Sequence, residues 1–86
     1  MLRIHESPAD GLATLRLEGR IAGPWVDELR RVTDGWRERG YRVSLDLAGV
    51  SYADRPGVSL LRDLQVRDVG LEAASPFVAA LLDGDE

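Results

Sequence analysis

Apolar and polar positions alternate in three stretches of this chain. Leu2 and Ile4 alternate with Arg3 and His5 before Ser7 to Gly11 gathers turn formers, which predicts a short opening strand and a turn. Leu15, Leu17 and Ile21 share one parity while Arg16, Glu18 and Arg20 hold the other, the period-two pattern of a half-buried strand. Val43, Leu45 and Leu47 alternate in the same way with Arg42, Ser44 and Asp46. A strand covered on both faces reads as a nearly continuous apolar run. The alternation therefore predicts a sheet with helices mainly on one face, and excludes a full doubly wound fold.

Between these strands the period changes. Gly23-Pro24 ends the second strand, and Trp25, Leu29, Val32 and Trp36 then fall on one helical stripe, with Gly40 placed to cap its end. Two tryptophans at this spacing read as core rather than as a ligand cage. Ala48 to Arg55 reads as a loop. Pro56 restarts helix behind Asp54 as N-cap, with Leu60, Leu61 and Leu64 inward to about Arg67 or Asp68. Val69 to Ala74 predicts a short fourth strand, and Ser75-Pro76 opens a last helix with Phe77, Ala80 and Leu81 inward. The acidic end, 83-86, is expected to fray. The order is β-β-α-β-α-β-α, an α/β fold with a mixed four-stranded sheet. The opening hairpin is antiparallel, and the later strands are parallel through right-handed crossovers.

Composition narrows the function. With 86 residues the chain can build one core, so a single domain spanning 1-86 is expected. Hydrophobic residues at 44% and charged residues at 30% mark it as globular rather than disordered. Absence of cysteine removes disulfides and thiolate metal sites, leaving apolar packing to hold so small a fold. A net charge of −4 argues against a nucleic-acid surface. No apolar run suggests a signal peptide or membrane insertion, so a cytoplasmic protein is expected.

The residues of catalysis are thinly represented. His5 is the lone histidine and falls on the solvated parity of its strand, and Ser7 with Asp10 lacks a nucleophile elbow. Asp46 and Asp54 are too few carboxylates for a metal site, and Gly49 and Gly57 stand outside any phosphate-binding glycine pattern. No enzyme activity, metal or other cofactor is expected. What remains is Leu45 to Val58, running from the carboxyl end of a strand into a helix start, where unpaired N–H groups and the helix dipole favour an anion or a partner's carboxylate.

At this segment the chain resembles the STAS domain, the family of anti-sigma factor antagonists and of domains attached to sulphate transporters. Leu45-Asp46-Leu47-Ala48-Gly49-Val50 resembles the family's third-strand motif, and Asp54 and Gly57 before Val58, Leu60 and Leu61 resemble its Asp-Ser-Ser-Gly or Asp-Thr-Ser-Gly helix start. The element order agrees from about Leu2 to Leu82. The resemblance implies a bacterial signalling or transcription-regulating module that binds a protein partner, an anti-sigma kinase or similar switch protein, through Asp54, Arg55, Pro56, Gly57, Val58 and Tyr52. Its alternative is a STAS-type regulatory subunit of a membrane ABC transporter ATPase. In kinase-regulated members a phosphorylated serine or threonine precedes the helix glycine. Here that position is Pro56, which has no hydroxyl and is non-phosphorylatable, with Arg55 before it. Ser51 and Ser59 are the nearby hydroxyls and the alternative phosphosites, with Ser51, in the predicted loop, the better of the two. An exposed sheet edge would also allow a homodimer.

Overall fold

The computed structural model of the chain describes residues 1–84. Its elements are β1 (Leu2–Ala9), β2 (Leu12–Ile21), α1 (Pro24–Glu38), β3 (Arg42–Ala53), α2 (Arg55–Val66), β4 (Gly70–Glu72) and α3 (Pro76–Asp83). The predicted order holds throughout. The four strands lie in the order β1-β2-β3-β4, with β1 antiparallel to β2 and the later pairs parallel.

The opening hairpin closes through Asp10 and Gly11 alone, both at positive φ, since Ala9 pairs directly with Leu12. Two left-handed residues give the turn whose twist matches the flanking strands. Helices α1 and α2 fill the two parallel crossovers. One apolar cluster joins Leu15, Leu17 and Ile21 of β2 to Leu45 and Leu47 of β3, Leu29 of α1, and Leu60, Leu61 and Leu64 of α2. On the opposite face Arg3 and Arg16 are exposed, and His5 lies 3.6 Å from Glu18, as the polar parity of these strands predicts.

The expected loop from Ala48 to Arg55 is strand as far as Ala53. Between Arg16 and Glu18 of β2 the partner strand advances from Asp46 to Gly49, and between Gly19 and Arg20 it advances from Val50 to Tyr52. Each step inserts one extra residue into β3, a β-bulge that shifts the inward parity. Leu47, Val50 and Ala53 are all buried as a result, although their spacing obeys no period of two. Ser51 accordingly lies within β3, and its hydroxyl donates to the carbonyl of Gly19 at 3.3 Å.

The helical stripes also differ in phase from the expectation. On α1 the buried residues are Val26, Leu29 and Thr33, while Trp25, Val32 and Trp36 pack partly buried beside them. Trp36 keeps one edge outside, where its indole N–H donates to Glu6 Oε1 at 2.8 Å across to β1. On α3 the buried residue is Val78. Phe77 and Ala80 point outward, and Leu81 is half-buried. Every position from Phe77 to Leu82 is apolar, so periodicity carries no phase there. Helix α2 begins at Arg55 and ends at Val66, and β4 is three residues long, each shorter at its end than the pattern predicts. The acidic end, expected to fray from residue 83, is helical at Asp83, and the Gly84 N–H donates to the Ala80 carbonyl at 2.8 Å; Asp85 and Glu86 lie outside the described residues.

Candidate functional site

The start of α2 is built around one carboxylate. Asp54, held in extended conformation at the end of β3, accepts the Gly57 N–H through Oδ1 at 2.8 Å and the Gly23 N–H through Oδ2 at 3.0 Å. Its own N–H donates to the Ile21 carbonyl at 3.1 Å. The sequence predicts the cap on Gly57, while the bond from Gly23 joins residues far apart in the chain and has no local signal. Asp54 thus ties the end of β2, the approach to α1 and the first turn of α2 at one point.

Gly57 is the second fixed element. It is buried, and a Cβ there would overlap the carbonyl oxygen of Ile21. Only glycine lets the first turn of α2 lie this close to the end of β2. These contacts narrow the anion seat of the helix start to the N–H of Arg55. Pro56 has no N–H, that of Gly57 is taken by the Asp54 side chain, and that of Val58 by the Asp54 carbonyl at 2.8 Å.

The remaining candidates divide by exposure. Arg55 and Pro56 are exposed, whereas Tyr52 and Val58 are half-buried. Ser59 is exposed on α2 one turn beyond Arg55. Ser51 sits apart from it on β3, with its hydroxyl directed to Gly19. Tyr52, Arg55, Val58 and Ser59 line an open groove of about 560 Å³, completed by Arg62 of α2 and Leu81 of α3.

Sequence reasoning missed Arg62, Phe77 and Arg20. The Arg62 guanidinium donates from Nε to the Leu82 carbonyl at 3.0 Å and from Nη2 to the Leu81 carbonyl at 3.3 Å, and also reaches the carbonyl of Gly84. It caps the carboxyl end of α3, where unpaired carbonyls and the helix dipole favour a cation. Phe77 stacks on Tyr52 with ring centroids 6.4 Å apart, and the Arg20 guanidinium lies 4.8 Å from the Tyr52 centroid. Neither contact follows from local spacing, because three separate elements supply the groups.

No family model and no curated protein matches this sequence. Its fold is matched by the solved structure of the anti-sigma factor antagonist SpoIIAA in its unphosphorylated form, with a TM-score of 0.68. The superposition covers 94% of this chain and 82% of that one at 17% identity. The fold is therefore the STAS-like α/β fold. At such an identity the likeness is one of fold. No helix among the described residues is long and apolar enough to cross a membrane.

Proposed function

We propose that this chain is a single, non-catalytic, cytoplasmic interaction domain of the anti-sigma factor antagonist type, docking a regulatory protein partner around the start of α2. The observation that carries the reading is the likeness in fold to an anti-sigma factor antagonist over 94% of the chain. Local chemistry supports it. Arg55 and Pro56 stand exposed beside the half-buried Tyr52 and Val58, a polar rim next to a small apolar centre.

Among the proposed site residues, Asp54 and Gly57 shape the surface, and Arg55, Pro56, Val58 and Tyr52 form the part a partner touches. With proline at the position before Gly57, binding proceeds without a phosphorylation switch there. Ser59 replaces Ser51 as the better placed of the two alternative phosphosites, because the Ser51 hydroxyl donates to the Gly19 carbonyl within β3, whereas Ser59 is exposed with Arg55 four residues before it.

Wild type and Arg55→Glu are compared as baits in lysate of the native host, with captured proteins identified by mass spectrometry. Capture of an anti-sigma kinase by the wild type alone is the expected outcome. Capture of a transporter ATPase would assign the chain to that machinery instead, and identical capture by both baits would remove the start of α2 from the interface.

A further inference from the structure

Phe77 is 54% exposed although its neighbour Val78 is fully buried. Its ring lies nearly parallel to that of Tyr52, at 26°, and the two aromatic side chains form an apolar shelf beside the groove between α2 and α3. Val58 and Leu81 continue that apolar surface into the groove. Arg20 borders it through Tyr52, and Arg55 forms part of the groove wall.

The chain carries −4, yet neither Arg20 nor Arg55 has a carboxylate within ion-pair distance among the described residues. Asp54, which lines the groove, points both oxygens at backbone N–H groups, and Asp83 closes α3 next to the lining residue Gly84. Arg20, resting on Tyr52, and Arg55 thus border an apolar shelf with no carboxylate in ion-pair range among the described residues.

We infer that this groove receives a short segment of a partner protein carrying an aromatic or branched aliphatic side chain flanked by carboxylates. The inference rests on the docking reading above and specifies the partner's chemistry. An apolar anchor would fill the groove against Tyr52, Val58 and Leu81, with Phe77 stacked on Tyr52 beside it, while its flanking carboxylates meet Arg20 and Arg55. Aromatic and arginine side chains are the types that dominate interface energetics, and complementary charge selects the partner and speeds its arrival. An anionic membrane is the poorer occupant. Two arginines contribute only about 1 kcal/mol each to surface binding, and apart from Phe77 the apolar groups, Tyr52, Val58 and Leu81, line a groove.

The probe is a library of short random peptides displayed on phage and selected on the immobilised chain. The expected consensus places an aromatic residue, leucine or isoleucine beside aspartate or glutamate. A synthetic peptide of that consensus should bind Phe77→Ser and Arg55→Glu at least about tenfold more weakly than wild type. It should bind Arg30→Glu, changed at an exposed position on α1, as it binds wild type. Arg20→Glu supplies an independent variant if Phe77→Ser disturbs α3. A basic consensus, or none, overturns the inference. Binding lost in Arg55→Glu but kept in Phe77→Ser and Arg20→Glu overturns it while leaving the docking reading in place. Capture of wild type but not Phe77→Ser by phosphatidylserine vesicles, with no peptide selected, assigns the surface to a membrane and overturns it too.

Discussion

At Asp54 one side chain does the work of two caps, and the two can be separated by substitution. Asp54→Ala removes the acceptors for both Gly57 and Gly23 and should cost about 1–3 kcal/mol in urea unfolding. Asp54→Asn keeps an oxygen for Gly57 but turns an amide N–H toward that of Gly23, so its midpoint should fall between alanine and wild type. A midpoint at the wild-type value would mean the bond from Gly23 contributes nothing. Gly57→Ala drives a methyl group into the Ile21 carbonyl and should cost about 1–3 kcal/mol by the same measurement. Thr33 presents the reverse case. It is fully buried in α1, and its hydroxyl has no hydrogen-bond partner among the described residues. Thr33→Val keeps the shape and removes the unpaired group, so it should raise stability by about 1 kcal/mol, and a lowered melting temperature would reveal a partner for that hydroxyl.

At the scale of elements, α3 is a short helix held by few groups. Val78 anchors it in the core, Ser75 caps its start by accepting the Val78 N–H at 3.1 Å, and Arg62 caps its end. Arg62→Ala should leave α1, α2 and the sheet intact while the amides of α3 lose hydrogen-exchange protection by about tenfold, the scale of one lost charge-assisted contact of ~1.5 kcal/mol. Unchanged protection there would show that Val78 and Ser75 hold α3 without Arg62. Elements with a clear apolar phase were legible in the sequence. The alternation around Leu15 to Ile21 marked β2, and Leu60, Leu61 and Leu64 marked the inward side of α2. The end of β3 was not legible, because its two bulges break the alternation that identifies a strand. Nor was the orientation of α3, where an apolar run leaves the choice between Phe77 and Val78 to tertiary packing. The same blindness hid half of the candidate site. Asp54 and Gly57 announce a helix start locally, whereas the meeting of Arg20, Tyr52 and Phe77 depends on the ends of β2 and β3 reaching the start of α3 together.

For the whole molecule, one apolar cluster includes Val78 of α3 together with the sheet and both crossover helices. The chain should therefore unfold as one unit, with tryptophan fluorescence from α1 and far-UV circular dichroism giving coincident urea transitions. Separated transitions would identify α3 as an independent unit. The polar face of the sheet adds little to that core, so Arg16→Ala should change the unfolding free energy by no more than about 0.5 kcal/mol. The knot of hydrogen bonds at Asp54 has a further consequence for how such a molecule is controlled. It fixes the start of α2 to the ends of β2 and β3, leaving the proposed docking surface one conformation and, at Arg55 and Pro56, no hydroxyl that an enzyme could switch. On the docking reading, control of occupancy then passes to Ser59 further along the groove, or to supply: how much of the chain the cell makes, and how quickly it is removed.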